Sequence, residues 1–284
     1  MKVSGFTIIR NAIKYDFPVT ESIKSILPLV DEFIVNIGKS SDETLELIKS
    51  LNEPKIKILE TIWDEDMNKD GLVFSFQTNY GLKACSGDWA FYIQGDEVIH
   101  ENDYEKILRA MHDNFGKRDI LGLMFNFYHF WGDYITLNPW TYRKEIRIIR
   151  NNGEVKSCGD ACGFARRDDN KGIKKSFWPR LWRDTDAYVY HYGWVKRPDV
   201  LQVKKRWQIL QHSGGVIPKE EKDFFTKSEF DFLEEYRAMK KFKGTHPNVM
   251  QERIKLIPPL TETKSRWLAK SFYKKLLKAG LKGL

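Results

Sequence analysis

The chain has 284 residues, of which 42% are hydrophobic and 30% charged, and its formal net charge is +8. This composition is that of a soluble globular protein able to bury a sizeable core. No apolar run approaches the roughly 20 residues needed to cross a bilayer, and the N-terminus lacks the features of a signal peptide. Three widely spread cysteines, Cys85, Cys158 and Cys162, indicate reduced thiols and a cytoplasmic protein.

The first half of the chain alternates strands with helices. Strands are predicted at residues 3–10, 33–37, 55–61 and 89–93, and helices at residues 20–29, 43–51 and 77–85. Strands that alternate with helices form a mostly parallel sheet with right-handed crossovers, so the predicted fold class is α/β with a doubly wound, Rossmann-type sheet. Such sheets bind ligands beyond the carboxyl ends of their strands.

The pattern changes after a predicted helix at residues 102–114. Further strands are predicted at residues 120–127, 145–150 and 184–192, and the segment between the first two is dense in aromatic residues. We expect an antiparallel, loop-rich extension here, and long loops in compact domains are usually functional. Residues 253–260 contain two consecutive prolines and are predicted to form a linker.

The last segment supplies most of the positive charge. Residues 263–284 carry seven Lys or Arg and no acidic residue, and apolar residues recur at helical spacing among them. This predicts an amphipathic C-terminal helix. The helix either packs on the rest of the chain or binds the anionic inner surface of a membrane. The expected division of the chain is into four parts, at residues 1–115, 116–200, 201–260 (a helical extension and linker) and 261–284.

The sharpest chemical signal lies at the end of the fourth predicted strand, where Asp96 and Glu97 follow an apolar run. Neighbouring like charges resist joint ionisation, so two carboxylates held at a strand end are costly unless they bind a cation. Hard oxygen ligands suit Mg²⁺ or Mn²⁺. The alternative interpretation of the same residues is a solvated acidic turn.

Four segments, in this order, resemble the family 2 glycosyltransferases, which are nucleotide-sugar-dependent enzymes with a GT-A fold. The segments are Ile8-Ile9-Arg10-Asn11, the stretch from Gly38 to Thr44, the stretch from Asn79 to Trp89, and Gln94-Gly95-Asp96-Glu97 in the place of the DxD motif. The resemblance implies a metal-dependent, inverting transferase of polysaccharide biosynthesis. Such an enzyme moves a sugar from a nucleotide diphosphate to a hydroxyl of a saccharide or lipid-linked acceptor.

The resemblance also assigns roles to particular positions. The residues expected to bind the donor are Arg10, Asn11, Gly38, Asp42, Asn79, Gln94, Asp96, Lys196 and Arg197. Asp96 would ligate Mn²⁺ or Mg²⁺, and His191, which ends a strand about a hundred residues later, would be a second ligand; a purely structural His191 is the alternative. The mechanism also calls for a positive clamp on the diphosphate, which by position is Lys196 or Arg197; the alternatives are Arg143, Arg147, Arg180 and Arg183.

The sequence departs from the family pattern at two places. Gln94 stands where the motif usually begins with Asp, and Gly38 and Lys39 stand where the family commonly has an Asp that faces uracil. A UDP-sugar is the expected donor, with dTDP- and GDP-sugars as alternatives.

An inverting displacement needs a base that takes the proton of the acceptor hydroxyl. The candidate carboxylates are Asp133, Glu145, Asp160, Asp168 and Asp186. We favour Asp160, because small flanking residues leave room for a substrate; a solvated loop aspartate is the alternative. Two other functions stay open for the whole chain: sugar transfer to modified DNA bases, which the basic charge favours, and a non-catalytic protein that keeps the fold and binds anions or membranes.

Overall fold

The structure is a computed structural model that describes residues 1–64, 67, 69–175, 180–230 and 239–255. The described strands are β1 Val3–Ile9, β2 Glu32–Gly38, β3 Ile56–Thr61, β4 Trp89–Tyr92, β5 Glu97–Ile99, β6 Gly122–Trp131, β7 Thr136–Leu137, β8 Lys144–Arg150, β9 Val155–Cys158, β10 Gly163–Arg166, β11 Trp182–Trp194 and β12 Lys240–Lys241. The described α-helices are α1 Val19–Ile26, α2 Thr44–Lys49, α3 Leu72–Lys83, α4 Tyr104–Asn114, α5 Pro198–His212, α6 Lys222–Thr226 and α7 Gln251–Ile254. The predicted C-terminal helix lies outside the described residues, and so does most of the predicted linker.

Ten of the described strands belong to one mixed sheet. Its parallel half has the order β3-β2-β1-β4. The sheet then continues through antiparallel β8 and β6, and β11 lies parallel to β6 and antiparallel to β5. This topology confirms the predicted α/β class. The extension, expected to be antiparallel, is mixed, because β11 runs parallel to β6.

Burial explains why the parallel half could be predicted. All seven residues of β1 and all seven of β2 are buried, and strands covered on both faces have nearly continuous apolar sequences. Helix α1 covers one face, because Val19, Ile23 and Ile26 share a stripe at helical spacing and join the main core.

The extension is built on the long strands β6 and β11. One face of this pair carries an aromatic cluster in which Phe130, Tyr190, Tyr192, Phe242 and His246 pack ring against ring. The cluster fixes β12 and the segment before α7 against the sheet, so residues 240–250 belong to the same packed body.

Three elements differ from the sequence prediction. Helix α3 begins at Leu72 rather than at residue 77, because Gly71 adopts a left-handed conformation (φ 69°) that ends the preceding turn. The β9–β10 hairpin was not predicted. Helix α5 falls in the predicted helical extension but begins at Pro198, a common first helical residue.

The four-part division of the chain stays a prediction. None of the helices in the described part of the chain is long and apolar enough to span a membrane.

The predicted acidic pair separates into two different environments. Glu97 is fully buried and forms two bonds with Arg147, at 2.8 Å to Nε and 2.7 Å to Nη2, which tie β5 to β8. Burial opposes the charge of Arg147, but the Glu97 carboxylate outweighs it and raises the pKa of Arg147 above its usual value. Glu97 therefore holds the sheet together, and only Asp96 is left to bind a ligand.

Replacing Glu97 with Ala should lower the free energy of unfolding by about 3–5 kcal/mol, because Arg147 would remain as an uncompensated buried charge. Urea denaturation measures this change. The control is Asp168→Ala, which removes the exposed partner of Arg166 and should change stability little. Equal changes in the free energy of unfolding for the two substitutions would contradict a stabilising role for the buried Glu97–Arg147 pair.

Candidate active site

A pocket of about 770 Å³, counting its open mouth, lies beyond the carboxyl ends of β1 and β4. Gln94, Gly95 and Asp96 line it just after β4, and residues 160–162 of the β9–β10 hairpin line another side. Helix α5 contributes a further wall. The pocket thus occupies the position at which open α/β sheets bind their ligands.

Strand pairing places Asp96 beside His191. In the antiparallel β5–β11 pair, Glu97 is the register partner of His191, and the backbone N–H of Tyr192 donates to the carbonyl of Asp96 at 2.8 Å. The Asp96 Oδ1 and His191 Nε2 atoms are consequently 3.7 Å apart. A Cβ atom at Gly193 would lie 2.6 Å from Asp96 Oδ2 and 2.7 Å from His191 Nε2. Glycine is therefore required there for the two side chains to approach.

Helix α5 brings a buried lysine to the same carboxylate. Lys204 Nζ donates to Asp96 Oδ2 at 3.0 Å and to the carbonyl of Gly193 at 2.9 Å. Burial opposes ionisation of Asp96, but the Lys204 ammonium outweighs it and holds the pKa of Asp96 below its usual value. Asp96 is therefore ionised at neutral pH.

Lys196 lies behind this pair and does not line the pocket. Its Nζ donates to the carbonyl of Asp16 at 2.5 Å, and both Lys196 and Lys204 lie over the ring of Phe17. Burial, together with repulsion by Lys204, lowers the pKa of Lys196 to about 7. Among these groups Lys204 is therefore the fixed cation beside the Asp96 carboxylate at the pocket floor, and it can pair with an anionic ligand such as a diphosphate.

His191 contacts a second histidine on its other side. His191 Nδ1 and His129 Nδ1 are 3.1 Å apart, and His129 Nε2 is 2.8 Å from the carbonyl oxygen of Tyr142. Burial lowers the pKa of His191 to about 3 and that of His129 to about 4. Both imidazoles are therefore neutral at neutral pH.

Lys204 occupies Oδ2 of Asp96, so Oδ1 and the adjacent His191 Nε2 are the atoms here that could hold a divalent cation. The Asp96 carboxylate and the His191 imidazole face each other, and both are ligand types that Mn²⁺ accepts, with Mg²⁺ preferring the oxygen. Within the described residues there is no group of three or more His, Cys, Asp or Glu that could hold a metal ion. A cation there would have Asp96 and His191 as its protein ligands and would take its remaining ligands from substrate and water.

Asp160 lies on the β9–β10 hairpin and lines the pocket. The loop is sharply turned: Gly159 and Ala161 have φ of 59° and 63°, and Asp160 Oδ1 accepts from the N–H of Cys162 at 3.2 Å. The start of α3 supports the loop, because a Cβ at Gly71 would lie 2.9 Å from that of Asp160. The hairpin therefore presents a partly exposed carboxylate to the pocket.

The other predicted donor-binding residues divide into two groups. Arg10 and Gln94 line the pocket, together with Asp96. Arg10 Nε donates to the carbonyl of Lys39 at 3.1 Å, and Gln94 Nε2 donates to that of Ala161 at 3.4 Å. These bonds place both side chains at the pocket wall.

Asn11, Gly38, Asp42, Asn79 and Arg197 do not line this pocket. Asn11 and Asp42 accept backbone N–H groups of neighbouring loops, at 2.7 and 2.8 Å, and so hold those loops together. Asn79 forms two bonds to the backbone of Ser157.

The remaining two of these residues are separated from the pocket for different reasons. The indole of Trp63 covers Gly38, where a Cβ would lie 2.4 Å from the indole nitrogen. Arg197 precedes α5, and its exposed side chain pairs with Asp199 at 3.0 Å.

Sequence reasoning missed the contribution of α5. Leu201, Lys204 and Gln208 recur at helical spacing, which places a lysine on the same face as a buried leucine. Trp207, on the same helix, stacks on Tyr15 with ring centroids 5.0 Å apart and meets Phe74 edge-on. Trp63, Phe74 and Trp207 together form an aromatic wall of the pocket.

Residues 17–173, more than half of the chain, match the family described as Glycosyl transferase family 2. The chain therefore belongs to this family of glycosyltransferases. No curated protein matches the chain at a significant level.

Solved structures share the fold only distantly. S. aureus TarS is 14% identical with a TM-score of 0.44, and the match covers 74% of this chain and 39% of that one. TarS 1-349 in complex with UDP-GlcNAc is 15% identical with a TM-score of 0.42, covering 74% and 66%. Glucosyl-3-phosphoglycerate synthase from Mycobacterium tuberculosis, in complex with Mn²⁺, UDP-glucose and glycerol 3-phosphate, is 14% identical with a TM-score of 0.42, covering 74% and 78%. This chain spans about two fifths of the first structure, and the family assignment rests on the sequence match.

Proposed function

We propose that this protein is a metal-dependent, inverting glycosyltransferase. It would transfer a sugar from a nucleotide diphosphate, most simply a UDP-sugar, to a hydroxyl of a saccharide or lipid-linked acceptor. The observation that carries the proposal is the meeting of Asp96 and Lys204 at the floor of one pocket, with His191 behind Asp96 at 3.7 Å. Family membership supplies the reaction class, and these side chains supply a place for the diphosphate.

The pocket floor accounts for the leaving group. Negative charge grows on the diphosphate as the bond to the sugar breaks, so positive groups fixed in advance around it lower the barrier. Mn²⁺ or Mg²⁺ held by Asp96 and His191 would act there as a Lewis acid. Lys204 attracts the diphosphate from α5, and Arg10 does so from the end of β1.

The aromatic wall accounts for the nucleoside. Trp63, Phe74 and Trp207 offer ring faces and edges to a base, and such contacts tolerate more than one base. Gly38 itself offers no carboxylate to a base, and the Trp63 indole covers it. Uridine, thymidine and guanosine diphosphates are therefore all to be compared as ligands.

Asp160 is the proposed base. The acceptor oxygen forms a bond to the anomeric carbon while the bond from that carbon to the phosphate oxygen breaks, and the nucleoside diphosphate leaves with the bonding electrons. Asp160 takes the hydroxyl proton. Attack from the face opposite the leaving group inverts the anomeric configuration.

The lipid-linked acceptor and the membrane surface as a partner rest on the predicted basic helix at residues 263–284. That segment lies outside the described residues, so both remain predictions.

Slow hydrolysis of nucleotide sugars tests the proposed function without a known acceptor. With Mn²⁺, wild type should release nucleoside diphosphate from at least one of UDP-, dTDP- and GDP-sugars. Asp96→Ala should reduce this rate by about 100-fold or more, because it removes a group that stabilises the leaving diphosphate. The control, Asp113→Ala, changes an exposed residue of α4 and should leave the rate unchanged. The proposal fails if wild type neither hydrolyses nor is thermally stabilised by any of these donors.

Asp160→Asn should lower the same rate about 100- to 10,000-fold and leave the donor Kd unchanged, since a base acts on the acceptor side. Initial rates together with calorimetric titration of UDP separate the two effects. Asp113→Asn, on the exposed face of α4, serves as the control. An unchanged rate in Asp160→Asn would assign the base to another carboxylate.

A further inference from the structure

Two buried histidines face each other across neighbouring strands. His129 on β6 and His191 on β11 are register partners in the parallel pair, and their Nδ1 atoms are 3.1 Å apart. A neutral imidazole carries one ring proton, so one Nδ1 donates and the other accepts. The direction of this bond decides which nitrogen of His191 is free.

The carbonyl of Tyr142 sets that direction. It can only accept, and His129 Nε2 lies 2.8 Å from it, so Nε2 of His129 carries the proton. The Nδ1 of neutral His129 is then an acceptor, and the Nδ1–H of His191 donates to it. The Nε2 of His191 is left with its lone pair.

That lone pair faces Asp96, which lines the pocket. His191 Nε2 is 3.7 Å from Asp96 Oδ1, which is beyond hydrogen-bonding distance, and the carboxylate oxygen also offers only lone pairs. Two acceptors that face each other repel unless a donor or a cation lies between them, and a divalent cation accepts both lone pairs directly. The two hydrogen bonds that run from the Tyr142 carbonyl through His129 to His191 are called the relay below. The relay leaves Nε2 of His191 able to ligate a metal.

We propose that His129 is a positioning residue, which fixes the tautomer of His191 so that its Nε2 and Asp96 together bind a divalent cation. This inference rests on the proposed metal-dependent function. Hydrogen bonds to the second ring nitrogen of a metal-binding histidine orient the ring and raise its affinity for metal. Here the partner is a histidine whose own proton is placed by a backbone carbonyl.

Packing makes the relay rigid. The ring of His129 stacks on Phe127, with centroids 5.3 Å apart, and meets Tyr142 edge-on at 4.7 Å. His129 is only 4% exposed. The aromatic contacts hold the plane of the ring, and a flip within that plane would break the bonds to the Tyr142 carbonyl and to His191, so one orientation of the acceptor is favoured.

The tautomer can be observed directly on the whole chain. Long-range ¹H–¹⁵N spectra of metal-free wild type should show His191 protonated at Nδ1 and His129 protonated at Nε2. In His129→Phe, which keeps a ring but removes the acceptor, the Nδ1–H form of His191 should lose its dominance. Finding His191 protonated at Nε2 in wild type would overturn the proposal.

Metal affinity supplies the second readout. Mn²⁺ binding in the presence of UDP, followed by the electron paramagnetic resonance of free Mn²⁺, should weaken about 10- to 100-fold in His129→Phe. His129→Asn should restore most of the affinity, because its Oδ1 can take the place of the acceptor Nδ1. His246→Phe is the matched control: His246 is a partly buried histidine that bonds a backbone carbonyl, that of Tyr134, outside the relay.

The outcomes separate this inference from the proposed function. Wild-type affinity in His129→Phe, or equal weakening in His129→Asn, would overturn the relay. A wild type that hydrolyses nucleotide sugars but does not bind Mn²⁺ would overturn the relay while glycosyl transfer stands. A wild type that neither hydrolyses any nucleotide sugar nor is thermally stabilised by one would overturn the proposed function, whatever the tautomer of His191.

Discussion

The pairing of β5 with β11 is the interaction on which the site depends. It joins a three-residue strand that follows Asp96 to a strand from the second half of the chain, and it places His191 beside that carboxylate. Glu97, one residue further on, is anchored to Arg147 in the core. Because the buried ion pair fixes β5, the position of Asp96 is set by the sheet and not by a flexible loop. Rigid support of this kind is what a binding site for a charged ligand needs.

The Asp96 carboxylate lies between a lysine and a histidine. Asp96 accepts from Lys204 on one oxygen and faces the free nitrogen of His191 with the other. Lys196 adds further positive potential from behind. The arrangement favours a diphosphate accompanied by a cation, since the ligand brings negative charge to the lysines and the cation separates the two facing acceptors. Gly193 permits the close approach of Asp96 and His191, because any side chain at this position would occupy the space between them.

Much of the parallel half could be predicted, because strands buried on both faces are apolar runs and a carboxylate at the end of such a run is conspicuous. Asp96 was found in this way. Lys204 was not, since its burial depends on α5 folding across the pocket, and a lysine in a helix is ordinarily solvated. His129 could not be found either: its role requires the β6–β11 register and the position of the Tyr142 carbonyl. A sequence reveals carboxylates such as Asp96 at strand ends, whereas the residues that surround them, here Lys204 and His129, depend on tertiary packing.

Anomalous diffraction at the manganese edge, from crystals of the whole chain grown with UDP and Mn²⁺, tests the central claim most directly. The account predicts one manganese peak bonded to the Asp96 carboxylate and to Nε2 of His191, with the diphosphate beside it and within reach of Lys204. A structure with UDP in the pocket, Lys204 on its phosphates and no manganese between Asp96 and His191 would contradict the account.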